Sequence, residues 1–151
     1  ARGIEIQQYA DDTKESIYVQ EAIAYIKNYY SQKITVEDIA DYLALNRSYL
    51  YTIFMNSLGI SPKDFLTKFR ISRGKEKLTL TDLSVEEIAV SCGYRNSFAF
   101  GKVFKQQMGM TPTQYRNDNR RAARERLIRA QNELKEYKKH KTIYVGDIEK
   151  E

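Results

Sequence analysis

Residues 83–115, LSVEEIAVSCGYRNSFAFGKVFKQQMGMTPTQY, repeat in kind what residues 34–65, ITVEDIADYLALNRSYLYTIFMNSLGISPKDF, have already set out. Ile34/Leu83, Thr35/Ser84, Val36/Val85, Glu37/Glu86, Asp38/Glu87, Ile39/Ile88 and Ala40/Ala89 pair at one offset. After one extra residue near Gly93, the pairs Asn46/Asn96, Ser48/Phe98, Leu50/Phe100, Phe54/Phe104, Gly59/Gly109 and Pro62/Pro112 follow at an offset one larger. A repeat constrains the fold before any single residue does, because each copy must bury its own apolar face.

Each copy parses into two helices and a turn. Thr35 and Ser84 stand where N-caps belong, with an acid three residues on, and Ser84 with Glu87 has the full capping-box pattern. Ile39 and Leu43, or Ile88 and Cys92, give an inward stripe on a helix of about nine residues. The turns LALN and CGYRN lead to Asn46 and Asn96, which can cap a second helix running to Gly59 or Gly109 as its stop. Leu50, Ile53 and Phe54, or Phe100, Val103 and Phe104, fall on the buried face of that helix. Then Ser61 or Thr111 caps a third helix, with Pro62 or Pro112 at its first position, where a missing N–H does no harm.

Between the copies only Gly74 interrupts the run from Lys63 to Lys77, so one long helix is expected to about Thr79. Leu66 and Phe69 form its apolar side and Arg70, Arg73 and Lys77 a basic one. Upstream, SIYVQEAIAYIKNYY spaces Val19, Ile23, Ile26 and Tyr30 as an amphipathic helix over the first copy. Beyond Pro112 the chain reads as helical to about Tyr137, with a seam of Leu127, Leu134 and Tyr137 on a charged rod. TIYVGDI alternates like a short strand. The expected segments are a linker stub (1–15), a first helix-turn-helix subdomain (16–60), a connecting helix (61–80), a second subdomain (81–117) and a basic helical extension with its tail (118–151).

The chain has 151 residues, one cysteine and a formal net charge of +5. That length holds one ordinary domain or two very small ones. A lone cysteine makes no internal disulfide, and no apolar run is long enough to span a bilayer, so no membrane association and a reducing, cytoplasmic setting are expected. The basic surplus is concentrated: residues 116–141 carry ten Lys and Arg against four acids, whereas residues 34–115 carry ten against eight. Such a surplus suits a polyanion, and a solvated helix face produces it too.

Residues from about Ser16 to Arg116 resemble the paired helix-turn-helix domain of the AraC/XylS transcription regulators. SVEEIAVSCGYRNSFAFGKVFKQQMGMTPTQYR carries the more specific half of the resemblance, and ITVEDIADYLALNRSYLYTIF, GISPKDFL and FRISRGKEKL the other. The resemblance implies an all-α fold of two homeodomain-like helix-turn-helix subdomains joined by a long linker helix, each placing its second helix in the major groove of double-stranded DNA. It further implies a bacterial regulator, an activator that engages RNA polymerase. A separate effector-binding and dimerisation domain is expected before this module. The chain begins at Ala1 and IEIQQYADDTKES reads as the stub of that connection; a sugar effector is the family's habit.

Carried onto this chain, the family's exposed recognition positions are Arg47, Ser48, Tyr51 and Thr52 in the first unit and Asn96, Ser97, Phe98, Gly101 and Lys102 in the second. Lys102 is the strongest candidate for guanine O6 and N7, and Asn96 suits adenine unless it is spent as a cap. Tyr51 or Phe98 would press on a thymine methyl. Thr52 stands where the family often has arginine, and Gly101 offers no side chain. Phosphate candidates are Arg73, Arg95, Lys105 and Arg116, with the backbone N–H groups at the capped starts near Thr35, Ser84 and Thr111. Met55 takes the place that Lys105 has in the other copy.

No catalytic constellation, phosphate-cradling glycine loop or metal-ligand spacing is present, so neither an enzyme nor a cofactor is expected. Cys92 reads as a small apolar filler, and His140 has no partner at ligand spacing. Glu37, Asp38, Glu86 and Glu87 occupy first turns, where the helix dipole favours acids; contact with a transcription partner is a second use for them. The rod from Arg116 to Lys141 has three readings: a solvated helix, a flanking phosphate contact or an oligomerisation seam. The rival for the whole chain is a protein-interaction module without DNA binding.

Overall fold

Residues 13–140 are described by the structure, a computed structural model. Among them are seven helices and no strand: α1 (Lys14–Tyr29), α2 (Val36–Tyr42), α3 (Arg47–Leu58), α4 (Pro62–Leu80), α5 (Val85–Ser91), α6 (Ser97–Met108) and α7 (Pro112–Lys139). The TIYVGDI segment and the stub before Thr13 lie outside the described residues. The chain divides into two compact units between Pro112 and Thr113. The first holds both helix-turn-helix repeats, and the second holds α7 beyond its first residue.

Local chemistry sets the helix ends. Thr13 begins α1 by accepting from the Ser16 N–H, two residues ahead of the start expected at Ser16. Both short helices, not only α5, begin with a complete capping box. The Thr35 N–H donates to Asp38 Oδ2 at 2.8 Å while the Asp38 N–H donates to Thr35 Oγ1 at 3.2 Å. Ser84 and Glu87 make the same exchange at 2.9 and 3.1 Å. Aspartate has a shorter reach than the glutamate of the usual motif, yet it closes the box.

α2 and α5 are seven residues each rather than nine, because a left-handed residue stops them early. Ala44 has φ 56° and Gly93 φ 89°. In each turn the next N–H reaches back to close the helix, Leu45 to the Ala40 carbonyl and Tyr94 to the Ala89 carbonyl, at 2.9 and 3.0 Å. This is the Schellman arrangement in both copies. The extra residue of the second copy comes after it, as Arg95.

The first core gathers Val19, Ala22 and Ile26 of α1, Ile39 and Ala40 of α2, Leu50, Ile53 and Phe54 of α3, and Leu66 of α4. The second repeat buries Ile88, Ala89, Cys92, Phe100 and Phe104 completely. Each of the Val, Leu, Ile and Phe side chains among them contributes about 1.5–3 kcal/mol relative to exposure. α4 packs on α3 with its first half and on α5 and α6 with the rest. Leu66 enters the first core, whereas Ile71, Gly74 and Leu78 are buried further along.

Gly74 is what allows the second repeat to approach α4. A Cβ there would stand 2.7 Å from Cζ of Phe100 and 2.8 Å from its Cε1. The ring lies almost on the helix backbone, so the one breaker noted in the linker is a packing site. Gly74→Ala therefore sets two effects against each other. Alanine favours the helix by about 1 kcal/mol, but an extra methyl in a filled core costs about 1–3 kcal/mol. The variant is expected to be the less stable protein by urea unfolding; a gain in stability would show that Phe100 has room to move.

Candidate nucleic-acid interface

The second helix of each repeat divides its residues cleanly. In α3, Leu50, Ile53 and Phe54 are fully buried, while Arg47, Ser48, Tyr51 and Thr52 are exposed, Tyr51 to 52%. In α6, Phe100 and Phe104 are buried, while Phe98 is 80% exposed and Lys102 exposed. A bulky apolar ring held in water at the start of a helix contributes nothing to the core that formed the helix. Both outward faces combine a cation with an aromatic ring.

Other candidates are already engaged. Asn96 serves as the cap of α6, its Oδ1 accepting from the Ala99 N–H at 2.9 Å. Asn46 caps α3 in the same way, accepting from the Tyr49 N–H at 2.7 Å. The Ser97 N–H donates to Glu86 Oε2 at 2.8 Å, which ties the start of α6 to α5. Thr52 turns its hydroxyl back to the Ser48 carbonyl at 3.0 Å.

The phosphate candidates separate too. Lys105 and Arg95 are exposed. Arg73 lies over the Phe69 ring at 5.1 Å and pairs with Glu76 at 2.9 Å, so its charge is largely answered within α4. The N–H groups of Thr35 and Ser84 are taken by the carboxylates of Asp38 and Glu87, and a second acid accompanies each in its first turn. Those two helix starts repel a phosphate more than they invite one. Thr111, before Pro112, is half-buried; Arg116 lies on α7 in the other compact unit.

Sequence reasoning missed the use of Glu37 and Glu86. They occupy equivalent places in the repeat, and each ties the first helix of its unit to the start of the second. Glu86 does so through Ser97, and Glu37 through an ion pair with Arg47 at 3.6 Å. That pair is exposed on both sides, which limits it to about 0–1 kcal/mol, so Arg47 is easily released to a stronger anion. The signal was in the alignment, since a dipole argument needs an acid in the first turn but not at the same place in both copies. Cys92, by contrast, is fully buried, and burial pushes its thiol up, as an apolar filler requires.

Two tandem helix-turn-helix units, each with an exposed cation and ring on its second helix, define a DNA-binding domain. The model of the helix-turn-helix domain family matches residues 39–118. The raffinose operon transcriptional regulatory protein of Pediococcus pentosaceus is 42% identical over 95 residues, 63% of this chain and 34% of that protein. The C-terminal domain of AraT, a response regulator from Geobacillus stearothermophilus, superposes with TM-score 0.67 at 36% identity, over 70% of this chain and 88% of that one. The DNA-binding domain of AdpA, a global transcriptional factor solved with a target DNA, superposes with TM-score 0.65 at 27% identity, over 68% and 93%. The chain belongs to the AraC-type helix-turn-helix family of transcription regulators. It spans about a third of the length of the curated relatives it matches.

The Glu86 tie has a measurable signature. The hydroxyl of Ser97 and then its N–H hold the Glu86 carboxyl below its usual range. With the folded pKa depressed, the tie is present above the ordinary carboxylate pKa and is lost as pH falls through the lower folded one. The Ser97 amide proton is expected to follow a titration whose midpoint lies below the ordinary glutamate value of about 4.3. A midpoint at or above that value in an NMR titration means that the bond does not persist in solution.

Proposed function

We propose that this domain reads an asymmetric duplex site, with α3 and α6 in successive major-groove segments, as part of an operon activator responding to a sugar. The observation that carries the reading is the outward face of each second helix, where Tyr51 and Phe98 stand exposed above a fully buried core. Membership of a DNA-binding family supports it, and so does the likeness to a raffinose operon regulator. Activation through RNA polymerase, a preceding effector-binding domain and a cytoplasmic setting are read from the family. Among the described residues no helix is long and apolar enough to cross a membrane.

The two faces are not copies in chemistry. In the repeat register Arg47 stands opposite Ser97, Ser48 opposite Phe98, Tyr51 opposite Gly101 and Thr52 opposite Lys102. α3 therefore has its cation before its ring, and α6 has its ring before its cation. Lys102 is the base-reading residue of the second half, through guanine O6 and N7. Lys105 and Arg95 supply phosphate contacts there, and the first half, with Met55 in place of a cation, leans more on Arg47.

Lys102→Ala is expected to cost about 1–3 kcal/mol on the cognate duplex and to relax preference at one base pair. Selection from random duplexes followed by titration of single-base variants measures both. An equal loss on every sequence reassigns Lys102 to a phosphate. Binding should also weaken steeply between low and physiological salt, as counterion release requires.

Gly101 gives a second test. A Cβ there would meet only Pro112 Cδ at 3.9 Å, an ordinary contact, so packing does not call for glycine. Glycine inside a helix costs about 1 kcal/mol relative to alanine, and close approach of DNA is the reason we assign to it. Gly101→Ala should raise thermal stability and weaken binding to the cognate duplex; stability and affinity rising together would remove Gly101 from the interface.

A further inference from the structure

The basic side expected for α4 is engaged within the protein, Arg73 with Glu76 and Lys77 with Ser91. Arg70, midway along it, turns inward. Its Nε donates to the Tyr30 carbonyl at 3.1 Å and its Nη2 to the Gln32 carbonyl at 2.8 Å, just past the end of α1. The guanidinium lies 5.8 Å from the ring centre of Tyr94, in the turn between α5 and α6. One side chain of the linker thus joins the residues that follow α1 to the turn of the second repeat.

The surroundings leave the joint little slack. Gly93 faces the same carbonyl so closely that a Cβ would stand 2.4 Å from Tyr30 O and 2.9 Å from Arg70 Nε. Further along α4, Lys77 Nζ donates to Ser91 Oγ at 2.9 Å and lies 5.8 Å from the Tyr30 ring centre. The second repeat's turn from Ser91 to Tyr94 is therefore seated on the C-terminal end of α1. The Tyr30 carbonyl, at the C-cap of α1, lies at the negative end of the helix dipole, which suits a cation. A planar fork also fixes direction as well as distance, which a lysine at this place would not do.

We propose that Arg70 is a positioning residue for DNA recognition: it locks the turn of the second repeat to the end of α1 and so sets the number of base pairs between the two half-sites. This rests on the reading that α3 and α6 enter the groove together. Inserting one base pair displaces the second half-site by about 3.4 Å and rotates it by about 35°. A locked pair of helices cannot follow both changes, whereas a loose pair can.

The test is a set of duplexes, each carrying the selected site with one base pair added or removed between its halves, titrated with wild type, Arg70→Gln and Arg70→Lys. Wild type is expected to lose tenfold or more in affinity for each one-pair change. Arg70→Gln should reduce that discrimination to threefold or less while its salt slope stays that of wild type. Arg70→Lys, which keeps the charge but not the fork, should also relax spacing, and it carries the test if the glutamine variant does not fold. An unchanged spacing profile in a folded variant overturns the proposal, as does a salt slope smaller by about one, which marks a phosphate contact. Wild type that binds no duplex above background overturns the DNA reading itself, a result distinct from either.

Discussion

A helix that joins two small cores must present a buried face to each. α4 meets them in succession, with Leu66 in the first core and with Gly74 and Leu78 buried further along, Gly74 against the second repeat. At Gly74 the Phe100 ring comes so close that it leaves no room for a Cβ. It brings α6 close to the axis of α4, so the direction of the second recognition helix is inherited from the linker. A shorter side chain at 100 would leave a void, and a side chain at 74 would push the helix away. The placing of the DNA-reading face thus begins with an absence of atoms at one position.

Electrostatics then refines what packing has placed. The acids at 37 and 86 stand in first turns, where any acid gains from the dipole, but each also reaches the start of the following helix. In the second unit the acceptor is a carboxylate on a backbone N–H, an interaction that fixes the helix end itself. In the first it is an exposed pair with Arg47, which fixes little and leaves the cation available. The unit whose helix start is held by the carboxylate has its cation, Lys102, in the middle of the helix; the unit with the exposed pair has its cation, Arg47, at the first position.

What the sequence made legible was everything set by neighbours three or four residues apart. Caps at Thr35, Asn46, Ser61, Ser84 and Asn96, the stops at Gly59 and Gly109 and the buried faces of α3 and α6 all depend on such spacings, and all are present. The site was less legible because a helical wheel says which residues share a face, not what the face meets. Arg70 and Lys77 share a side with Arg73, the phosphate candidate, and the pattern shows only that this side is basic. Their partners lie elsewhere in the chain, Tyr30 and Gln32 for Arg70 and Ser91 for Lys77, and no local period reveals them. Asn96 was ambiguous for a different reason: capping and adenine reading draw on the same Oδ1, and the Ala99 N–H at 2.9 Å shows the capping use alone.

The one-residue difference between the copies follows from the same joint. Ala44 and Gly93 occupy the same left-handed place after α2 and α5, and either residue can close the helix there, alanine at a cost of about 1–2 kcal/mol. Only the second turn must also lie against the Tyr30 carbonyl, where a Cβ would stand 2.4 Å away. Glycine is thus demanded there by contact as well as by φ. Arg95 then adds the length that carries the chain from the seated turn to the Asn96 cap. The first turn is not seated in this way, its Ala44 being exposed, and it needs neither the glycine nor the extra residue. Duplication supplied two equivalent units; the departures from equivalence lie where one unit has to hold the other in register.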